Sequence, residues 1–280
     1  MTVDIICPLY NAYNYIDYLH KSLLNQKNVN INKIHYILTE STDKTEEYLI
    51  ENAIDYELIK KSNFSHSKVR EKAAFNSKAD IICFITQDII ITSDTWLKNL
   101  IEPIISNKAS ASYSRQISKS NNIEKYTREY NYPENSLIKS KDKLNELGLK
   151  AFFSSDASQA IKKDVFVKLN GYDQKDLPIS EDMYFSYKMI MNNYKIMYCA
   201  KSVIYHSHDF SLKELYNRYK LTGKFFKENK YLDKYQTTKN GGNLAKYILK
   251  RTIAEKNIKV LVRYPFDMAA RLIGMKVGKM

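Results

Sequence analysis

The chain of 280 residues is long enough to bury a sizeable core in one or two domains, and its formal net charge is +13. Aromatic residues make up 12% of it, while 7 glycines and 5 prolines are too few for a low-complexity chain. No repeat of fixed period occurs, and no apolar run approaches the ~20 residues that cross a membrane. Three separated cysteines in apolar runs, with no visible secretory signal, predict reduced thiols and a cytoplasmic location.

Strand-like and helix-like patterns alternate four times within about the first hundred residues. Strands are predicted at 3–9, 34–38, 56–59 and in the apolar run after Asp80, with helices at 13–26, from Ser41 onward, at 68–77 and after an N-cap at Ser93 or Asp94. Such alternation is typical of a doubly wound α/β fold that binds nucleotides. Neither G-x-G-x-x-G nor a Walker A sequence occurs, which disfavours the dinucleotide and P-loop classes.

Beyond residue 105 the alternation loosens. We predict strands at 110–116, 152–161 and 198–205, and helices at 123–130 and after an N-cap at Ser180. From Ser211 onward the pattern is mostly helical. The chain is therefore expected to contain an α/β domain over 1–210, with a nucleotide-binding half at 1–105 and an acceptor half at 106–210, and a basic helical region over 211–280.

The fourth predicted strand ends at Thr86, Gln87 and Asp88. In open α/β sheets, ligands bind just beyond the carboxyl ends of the strands. Asp88 therefore stands where a ligand or a metal ion would be held. A turn-forming aspartate is the alternative interpretation.

The positive charge is concentrated at the end of the chain. Residues 211–280 hold 17 Lys and Arg against 5 Asp and Glu, a surplus of +12, together with apolar residues at helical spacing. A basic amphipathic helix can lie on an anionic membrane surface, and a solvated helical face packed on the main domain is the alternative. No zinc-finger spacing or RNA-binding signature occurs, so no nucleic-acid partner is expected.

Short motifs in a fixed order give the sequence a family resemblance over roughly 3–225. They include Pro-Leu-Tyr-Asn-Ala at the first strand end, Ser-Thr-Asp-Lys-Thr at 41–45, Phe-Ser-His-Ser at 64–67 with Arg70, Thr-Gln-Asp at 86–88, Ser-Arg-Gln at 114–116, Asn-Tyr-Pro at 131–133, Gly-Tyr at 171–172, Glu-Asp at 181–182 and His-Ser-His at 206–208. The chain resembles family 2 glycosyltransferases of GT-A fold, and among them the bacterial rhamnosyltransferases. The implied fold is a mainly parallel sheet flanked by helices, with a helical C-terminal extension.

The resemblance implies specific roles for individual residues. Asp88, with His206 and His208, would bind Mn²⁺ or Mg²⁺, although Thr86 replaces the first aspartate of the usual Asp-x-Asp motif. Asp182 would be the catalytic base, with Glu181 beside it; acids that complement a helix dipole are the alternative. The nucleotide sugar would contact Pro8, Tyr10, Glu40, Arg70, Gln87, Asp88 and Arg115, and the acceptor would contact Asp156.

One departure from the family pattern concerns the nucleoside pocket. Leu-Thr-Glu-Ser at 38–41 stands where relatives have Asp-Asp-Gly-Ser, so Glu40 would contact the base or ribose and Asp43 would cap the following helix. Arg70 and Arg115 would offer cationic forks to phosphate or sugar hydroxyls, or form surface ion pairs of small energetic weight.

The expected activity is inverting, metal-dependent transfer of L-rhamnose from dTDP-L-rhamnose to a cell-surface polysaccharide or lipid-linked acceptor at the inner membrane face. The alternatives are a transferase that uses a UDP-hexose or UDP-N-acetylhexosamine, and a non-catalytic glycan-binding or scaffold subunit. A homodimer is left open by the sequence.

Overall fold

The computed structural model describes residues 1–235 and 238–280; positions 236–237, inside the predicted C-terminal region, lie outside the described residues. Its strands are β1 Thr2–Leu9, β2 Asn30–Thr39, β3 Tyr56–Ile59, β4 Ile81–Ile85, β5 Ala111–Ile117, β6 Leu137–Lys139, β7 Ser158–Lys162 and β8 Ile196–Tyr205. They form one sheet with the order β3-β2-β1-β4-β7-β5-β8-β6.

The helices flank and follow these strands. They are α1 Tyr13–Leu24, α2 Thr45–Glu51, α3 His66–Asn76, α4 Trp96–Ile105, α5 Ile123–Asn131, α6 Leu144–Leu147, α7 Lys163–Lys168, α8 Glu181–Met191, α9 Leu212–Glu228, α10 Thr238–Ala254 and α11 Ile258–Lys279. Short 3₁₀ turns occupy Lys61–Asn63, Lys141–Lys143, Gly148–Phe152 and Lys230–Tyr235. The predicted α/β alternation and the helical C-terminal region are confirmed.

The four strands β3, β2, β1 and β4 run parallel, as the predicted nucleotide-binding half requires. Ile5 of β1 stands opposite Ile34 on one side and Cys83 on the other. Strand β7 then pairs antiparallel with β4 and β5, and β6 pairs antiparallel with β8. The carboxyl ends of β1, β2 and β4 therefore lie along one edge, where ligands bind in open α/β sheets.

Strand β4 has buried side chains on both faces, because its five residues are all apolar and helices cover the sheet. The indole of Trp96 on α4 is buried and donates a hydrogen bond to Ser114 Oγ at 3.1 Å, which satisfies its one polar atom. Burial of such a run anchors β4, so the polar residues that follow it are held in place.

Several predicted local details are wrong. Thr95, rather than Ser93 or Asp94, is the N-cap of α4, and Ser93 Oγ instead accepts a hydrogen bond from the Thr95 amide. Ser180 does occupy the N-cap of α8, but in the left-handed region at φ 64 and without a side-chain capping bond. The predicted strand at 152–161 is shortened to β7, because the chain before it forms a 3₁₀ turn and an irregular segment.

The described residues divide into two compact units that do not follow the chain linearly. The first unit comprises Met1–Arg115, Glu134–Lys141 and Phe152–His206, and it holds the sheet except for Gln116 and Ile117, the last two residues of β5. The second unit comprises Gln116–Pro133, Asp142–Ala151 and Ser207–Met280. The predicted boundaries at 105/106 and 210/211 stay predictions.

Within the second unit, α9 and α11 pack closely along a seam of glycines. A Cβ atom at Gly223, Gly274 or Gly278 would collide with backbone atoms of the facing helix. Glycine lets the two backbones approach because it carries no side chain. Over 1–235 and 238–280, none of the helices combines the length and the apolar character that crossing a membrane requires.

Candidate functional site

A cavity of about 510 Å³ opens in the first unit at the carboxyl ends of β1, β2 and β4. Its lining comes from these strand ends and from the segment that leads into α3: Pro8, Leu9, Tyr10, Tyr15, Thr39, Lys61, Phe64, His66, Arg70, Thr86, Gln87 and Asp88. Its size and its mixed apolar and polar lining are typical of small-molecule sites. Five of the predicted donor-binding residues therefore share one cavity, namely Pro8, Tyr10, Arg70, Gln87 and Asp88.

Gln87 fastens the end of β4 to the end of β1. The Tyr10 amide donates to Gln87 Oε1 at 2.7 Å, and Gln87 Nε2 donates to the Tyr10 carbonyl at 2.9 Å. Because the oxygen and the nitrogen of the Gln87 side-chain amide both bond to the backbone of Tyr10, Gln87 positions the Tyr10 segment at the cavity. The predicted contact of Gln87 with the nucleotide sugar stays a prediction.

Lys61 is a lining residue that the sequence interpretation missed. Its Nζ donates to Tyr10 Oη at 3.0 Å and lies 5.1 Å from the centroid of that ring, a cation–π distance. Glu40 Oε2 accepts a hydrogen bond from the Lys61 amide at 3.0 Å, so Glu40 holds this segment and is not among the lining residues. The position of Lys61, two residues after β3, was a usable signal because it lies at the same sheet edge.

Asp43 has a structural role beside this edge. Its Oδ1 accepts a hydrogen bond from the Thr45 amide at 3.1 Å, and its Oδ2 accepts one from the Tyr13 amide at 3.0 Å. Asp43 was the predicted cap of α2, but the observed N-cap is Lys44, one residue later. The Asp43 carboxylate still accepts from the amide of Thr45, the first residue of the helix. Burial raises the pKa of Asp43, but these hydrogen bonds outweigh it and the net direction is downward.

Asp88 and His206 meet because the segment after β4 pairs with the end of β8. Ile90 and Tyr205 exchange two backbone hydrogen bonds of 2.9 Å, forming an isolated antiparallel bridge. Asp88 Oδ2 then lies 3.4 Å from Nε2 of the buried His206. A carboxylate oxygen and an imidazole nitrogen are both metal-ligand atoms, so this pair could hold a divalent cation.

Two further residues, Thr86 and His208, were considered with this metal in the sequence motifs that end β4 and β8. Thr86 Oγ1 is buried and finds no hydrogen-bond partner among the described residues, which leaves an oxygen available near the end of β4. His208 follows His206 by two residues and belongs to the second unit, where its ring stacks on Phe210 with centroids 4.8 Å apart. The donor atoms of Asp88 and His206 fit a small divalent cation such as Mn²⁺ or Mg²⁺.

Arg70 and Glu181, both predicted to serve the reaction, are joined to each other. Arg70 Nη1 lies 3.1 Å from Glu181 Oε1, with the two side chains only 3% and 12% exposed, so this is a buried pair rather than a surface one. Burial lowers the pKa of Arg70, but the Glu181 and Asp156 carboxylates raise it more, and the guanidinium stays charged. The pair ties α3 to the start of α8 and holds the Arg70 guanidinium at the cavity wall.

Asp182 lies next to that ion pair, in the first turn of α8, and is half-buried. Its Oδ1 accepts a hydrogen bond from the Met183 amide at 2.7 Å. Its carbonyl accepts one from Ser154 Oγ at 3.2 Å, and Ser154 also bonds to Ser186 within the helix. The Met183 amide therefore holds the carboxylate of Asp182, and Ser154 holds its carbonyl. Asp182 is not among the lining residues of the cavity, and its role as the base stays a prediction.

Asp156 and Arg115 are not among the lining residues of the cavity. Asp156 is 3% exposed and its Oδ2 accepts a hydrogen bond from Tyr172 Oη at 2.6 Å. Burial raises the pKa of Asp156 to about 7. Arg115 Nη2 lies 3.2 Å from the exposed Glu134 carboxylate, a surface pair. The acceptor contact of Asp156 and the donor contact of Arg115 stay predictions.

A mainly parallel sheet flanked by helices, with a cavity at its carboxyl edge, is the architecture of the GT-A fold of nucleotide-sugar transferases. Solved structures share this fold. The mannosyltransferase PcManGT from Pyrobaculum calidifontis, in complex with GDP-Man and Mn²⁺, superposes with a TM-score of 0.64 at 13% identity, over 99% of this chain and 86% of that one. S. aureus TarS 1-349 in complex with UDP-GlcNAc superposes with a TM-score of 0.58 at 15% identity, over 100% of this chain and 90% of that one.

The sequence comparisons narrow the class to one family. The model of glycosyl transferase family 2 matches residues 4–169, and the chain belongs to that family. The O-antigen chain rhamnosyltransferase RfbN of Salmonella typhimurium is 31% identical over 233 residues, 80% of this chain and 72% of that protein. The O-antigen chain rhamnosyltransferase WbaN of Salmonella anatum is 30% identical over 237 residues, 82% and 74% of the two chains. The predicted fold class, family and glycosyltransferase activity are confirmed.

Proposed function

We propose that this glycosyltransferase is inverting and metal-dependent, and that it transfers L-rhamnose from dTDP-L-rhamnose to a polysaccharide or lipid-linked acceptor. The observation that carries the metal and donor assignment is the pair of Asp88 Oδ2 and His206 Nε2, 3.4 Å apart beyond the carboxyl end of β4. The similarity to two O-antigen chain rhamnosyltransferases at about 30% identity supports rhamnose as the sugar.

The cation would be held by Asp88 and His206, with His208 available two residues further along the chain. When bound, it would neutralise the charge that develops on the diphosphate leaving group. Lys61 adds positive charge to the cavity wall, which favours a pyrophosphate there. Arg70 acts through its fixed position because Glu181 holds its guanidinium.

Asp182 would act as the general base. Its carboxylate would take the proton from the acceptor hydroxyl while that oxygen bonds to the anomeric carbon and the bond to the diphosphate oxygen breaks. A single displacement of this kind inverts the anomeric configuration. Glu181 is committed to Arg70, so of the two adjacent acids Asp182 is the one suited to proton transfer.

A donor panel tests the proposal. Full-length protein is heated with dTDP-L-rhamnose, UDP-glucose or UDP-N-acetylglucosamine, each with and without Mn²⁺. Because ligand binding to the native state raises its stability by mass action, dTDP-L-rhamnose with Mn²⁺ should give the largest rise in Tm. A larger rise in Tm with a UDP-sugar would mean that the donor is that UDP-sugar and not dTDP-L-rhamnose. No rise with any nucleotide sugar would favour a non-catalytic glycan-binding or scaffold subunit.

We further propose that the second unit docks on an anionic membrane surface, where a lipid-linked acceptor would be presented. Helix α11 carries an exposed apolar stripe at helical spacing, formed by Ile258, Val262, Phe266, Ile273 and Val277. The exposed Lys259, Lys276 and Lys279 lie on the same helix, within a region whose charge surplus is +12. An apolar stripe flanked by basic residues is the pattern of helices that lie in a membrane interface.

Sedimentation with anionic vesicles tests this docking. Replacing the exposed lysines Lys246, Lys250 and Lys256 with glutamine should weaken binding, since each basic residue near the surface contributes ~1 kcal/mol. Replacing Phe266 with serine should weaken it through lost apolar contact. Binding of wild type should also fall with added salt. Equal vesicle binding by wild type and variants, or no vesicle binding at low salt, would show that this face does not dock on anionic membranes.

A further inference from the structure

A cleft of about 720 Å³ opens in the second unit between the second half of α9 and the end of α11, and it shares no residue with the donor cavity. Four lysines line it against one acid, so the lining residues carry a net charge of +3: Lys220, Lys224, Lys227 and Lys230, with Glu228. We call this feature the lysine cleft. A concentration of charge of one sign attracts ligands of the opposite sign.

The walls of the lysine cleft are fixed by the packing of α9 against α11. A Cβ atom at Gly278 would collide with the Lys220 carbonyl, so the two backbones touch where glycine carries no side chain. Lys227 Nζ donates to a Met280 backbone oxygen at 2.6 Å and ties the two helix ends together. Lys220, Lys224 and Lys227 are spaced i, i+4 and i+7, so they lie on one face of α9, and all three are exposed.

Most of this positive charge is not neutralised by neighbouring groups. Within residues 1–235 and 238–280, Lys220 and Lys230 form no ion pair and no side-chain hydrogen bond. Lys224 Nζ lies 3.8 Å from Glu228 Oε1, but both side chains are exposed, and such surface pairs are weak. Lys227 is engaged, so Lys220, Lys224 and Lys230 are the residues that an anion would meet.

The dipole of α9 accounts for only part of the cluster. A cation near the C-terminus of a helix is stabilised by the helix dipole, and this explains Lys227, in the last turn of α9. Lys220 lies about two turns earlier, beyond the reach of that effect. At i,i+4 from Lys224 it faces a like charge, which is unfavourable. An anion bound between Lys220 and Lys224 would remove this repulsion.

An apolar rim distinguishes the lysine cleft from a site for a soluble anion. Leu221 is 40% exposed and Val277 is 36% exposed, and both line the cleft. Val277 also belongs to the exposed apolar stripe of α11. Basic residues next to exposed apolar side chains match an anionic phospholipid, which has a charged headgroup and apolar chains. Free phosphate or nucleic acid would leave Leu221 and Val277 in water.

We propose that the lysine cleft binds the phosphate headgroup of an anionic phospholipid, with the first part of its acyl chains against Leu221 and Val277. The proposal rests on the membrane docking proposed above and names the partner molecule for it. A merely charged surface attracts many lipids weakly, whereas a cleft predicts saturable binding of one lipid by each protein molecule.

Calorimetric titration of the full-length protein with dihexanoylphosphatidylglycerol, kept below its micelle concentration, tests the proposal. Wild type should bind one lipid saturably. Lys220→Gln with Lys224→Gln should bind it about thirtyfold more weakly, since each basic residue near a lipid phosphate contributes roughly a fivefold factor. The matched control is Lys78→Gln with Lys98→Gln, the same two changes at exposed lysines of the first unit, which should match wild type.

A second variant tests the apolar rim. Leu221 is exposed, so Leu221→Ser should leave Tm unchanged and weaken lipid binding without altering the binding of inorganic phosphate. Wild type should bind the lipid more tightly than inorganic phosphate, and more tightly than dihexanoylphosphatidylcholine, whose headgroup has no net charge.

Four results would each overturn the proposal. They are no saturable lipid binding, equal binding by wild type and the Lys220 and Lys224 double variant, equal binding of the phosphatidylcholine, and tighter binding of inorganic phosphate or of a short prenyl diphosphate than of the phosphatidylglycerol.

The lysine cleft and the proposed function can fail separately. The Lys220 and Lys224 double variant should keep the rise in Tm with dTDP-L-rhamnose and Mn²⁺, because the cleft shares no residue with the donor cavity. Lipid binding without any donor binding would refute the proposed transferase function alone. Donor binding and vesicle sedimentation without binding of the short-chain lipid would refute the lysine cleft alone.

Discussion

The buried carboxyl group of Asp156 should make the protein less stable as pH rises through neutrality. Burial raises its pKa from 3.8 to about 7, an effect that Arg70 opposes and Glu181 reinforces. Between these two pH values the native state retains a proton that the unfolded chain releases. Because the native state then binds more protons, the free energy of unfolding falls with increasing pH in this window.

Replacing Asp156 with asparagine removes the ionisation and keeps an oxygen that can accept the hydrogen bond from Tyr172. From pH 5 to pH 8 the unfolded aspartate is ionised, while the native one ionises only near pH 7. The linkage is worth 1.36 kcal/mol per pH unit, so over roughly two units the stability of Asp156→Asn relative to wild type should improve by about 3 kcal/mol. Below pH 4 the difference in the free energy of unfolding between Asp156→Asn and wild type should become constant.

Urea unfolding at pH 5, 6, 7 and 8 measures this directly from the midpoint and slope of each transition. The matched control is Asp55→Asn, the same change at an exposed position of the first unit, which should reproduce the pH dependence of wild type. A stability difference between Asp156→Asn and wild type that stays constant from pH 5 to pH 8 would refute the reasoning.

Three further predictions concern the base, the buried ion pair and the helix seam. Asp182→Asn should lower turnover by ~10²–10⁴-fold with donor affinity unchanged; steady-state rates and calorimetric titration check this, and equal loss of both would make Asp182 structural. Arg70→Met leaves Glu181 buried and unpaired, and should lower the free energy of unfolding by about 3–5 kcal/mol. Adding Glu181→Gln should recover part of that loss in urea titrations; no recovery would show that the pairing is unimportant. Gly278→Val would press against the Lys220 carbonyl and should cost at least about 1–3 kcal/mol; an unchanged Tm would contradict the close helix packing.

Much of the first unit was predictable because its signals are local. The apolar run of β4 and the four alternations of strand and helix are properties of neighbouring residues, and they predicted the parallel half of the sheet. Asp88 follows a buried strand, so the rule that ligands bind at carboxyl ends sufficed to place it. Pro8 and Gln87 were predicted from the family resemblance. The family resemblance added His206, which no local pattern connects to Asp88.

The pairings that cross the fold were not predictable from local patterns. Arg70 bonds to Glu181 because α3 and the start of α8 meet, and each residue alone resembles a free charge in the sequence. The predicted N-cap of α4 was wrong, because Ser93, Asp94 and Thr95 all carry side chains that can accept from the same amides. Lys61 was overlooked because its only signal is its position two residues after the short strand β3, with no motif around it.

A cavity in the second unit, which Asn121, Phe210 and Asp267 help to line, was also not predictable from the sequence. Asn121, Phe210 and Asp267 come from three separated segments, and neither spacing nor charge links them. The sequence shows the charge surplus of the C-terminal region. It did not predict that two charged residues of α11, Asp267 and Arg271, are buried. A buried polar residue in an amphipathic helix is recognisable only once its surroundings are known.

The most direct test of the account is calorimetric titration of dTDP-L-rhamnose into wild type and Asp88→Asn, each with and without Mn²⁺. The matched control is Asp94→Asn, six residues further along, whose side chain pairs with Lys27 on the surface. The account predicts that wild type and Asp94→Asn bind the donor only with Mn²⁺, and that Asp88→Asn binds it more than about tenfold more weakly. Donor binding that is independent of Mn²⁺ and unchanged in Asp88→Asn would contradict the central claim that Asp88 and His206 form the metal and donor site.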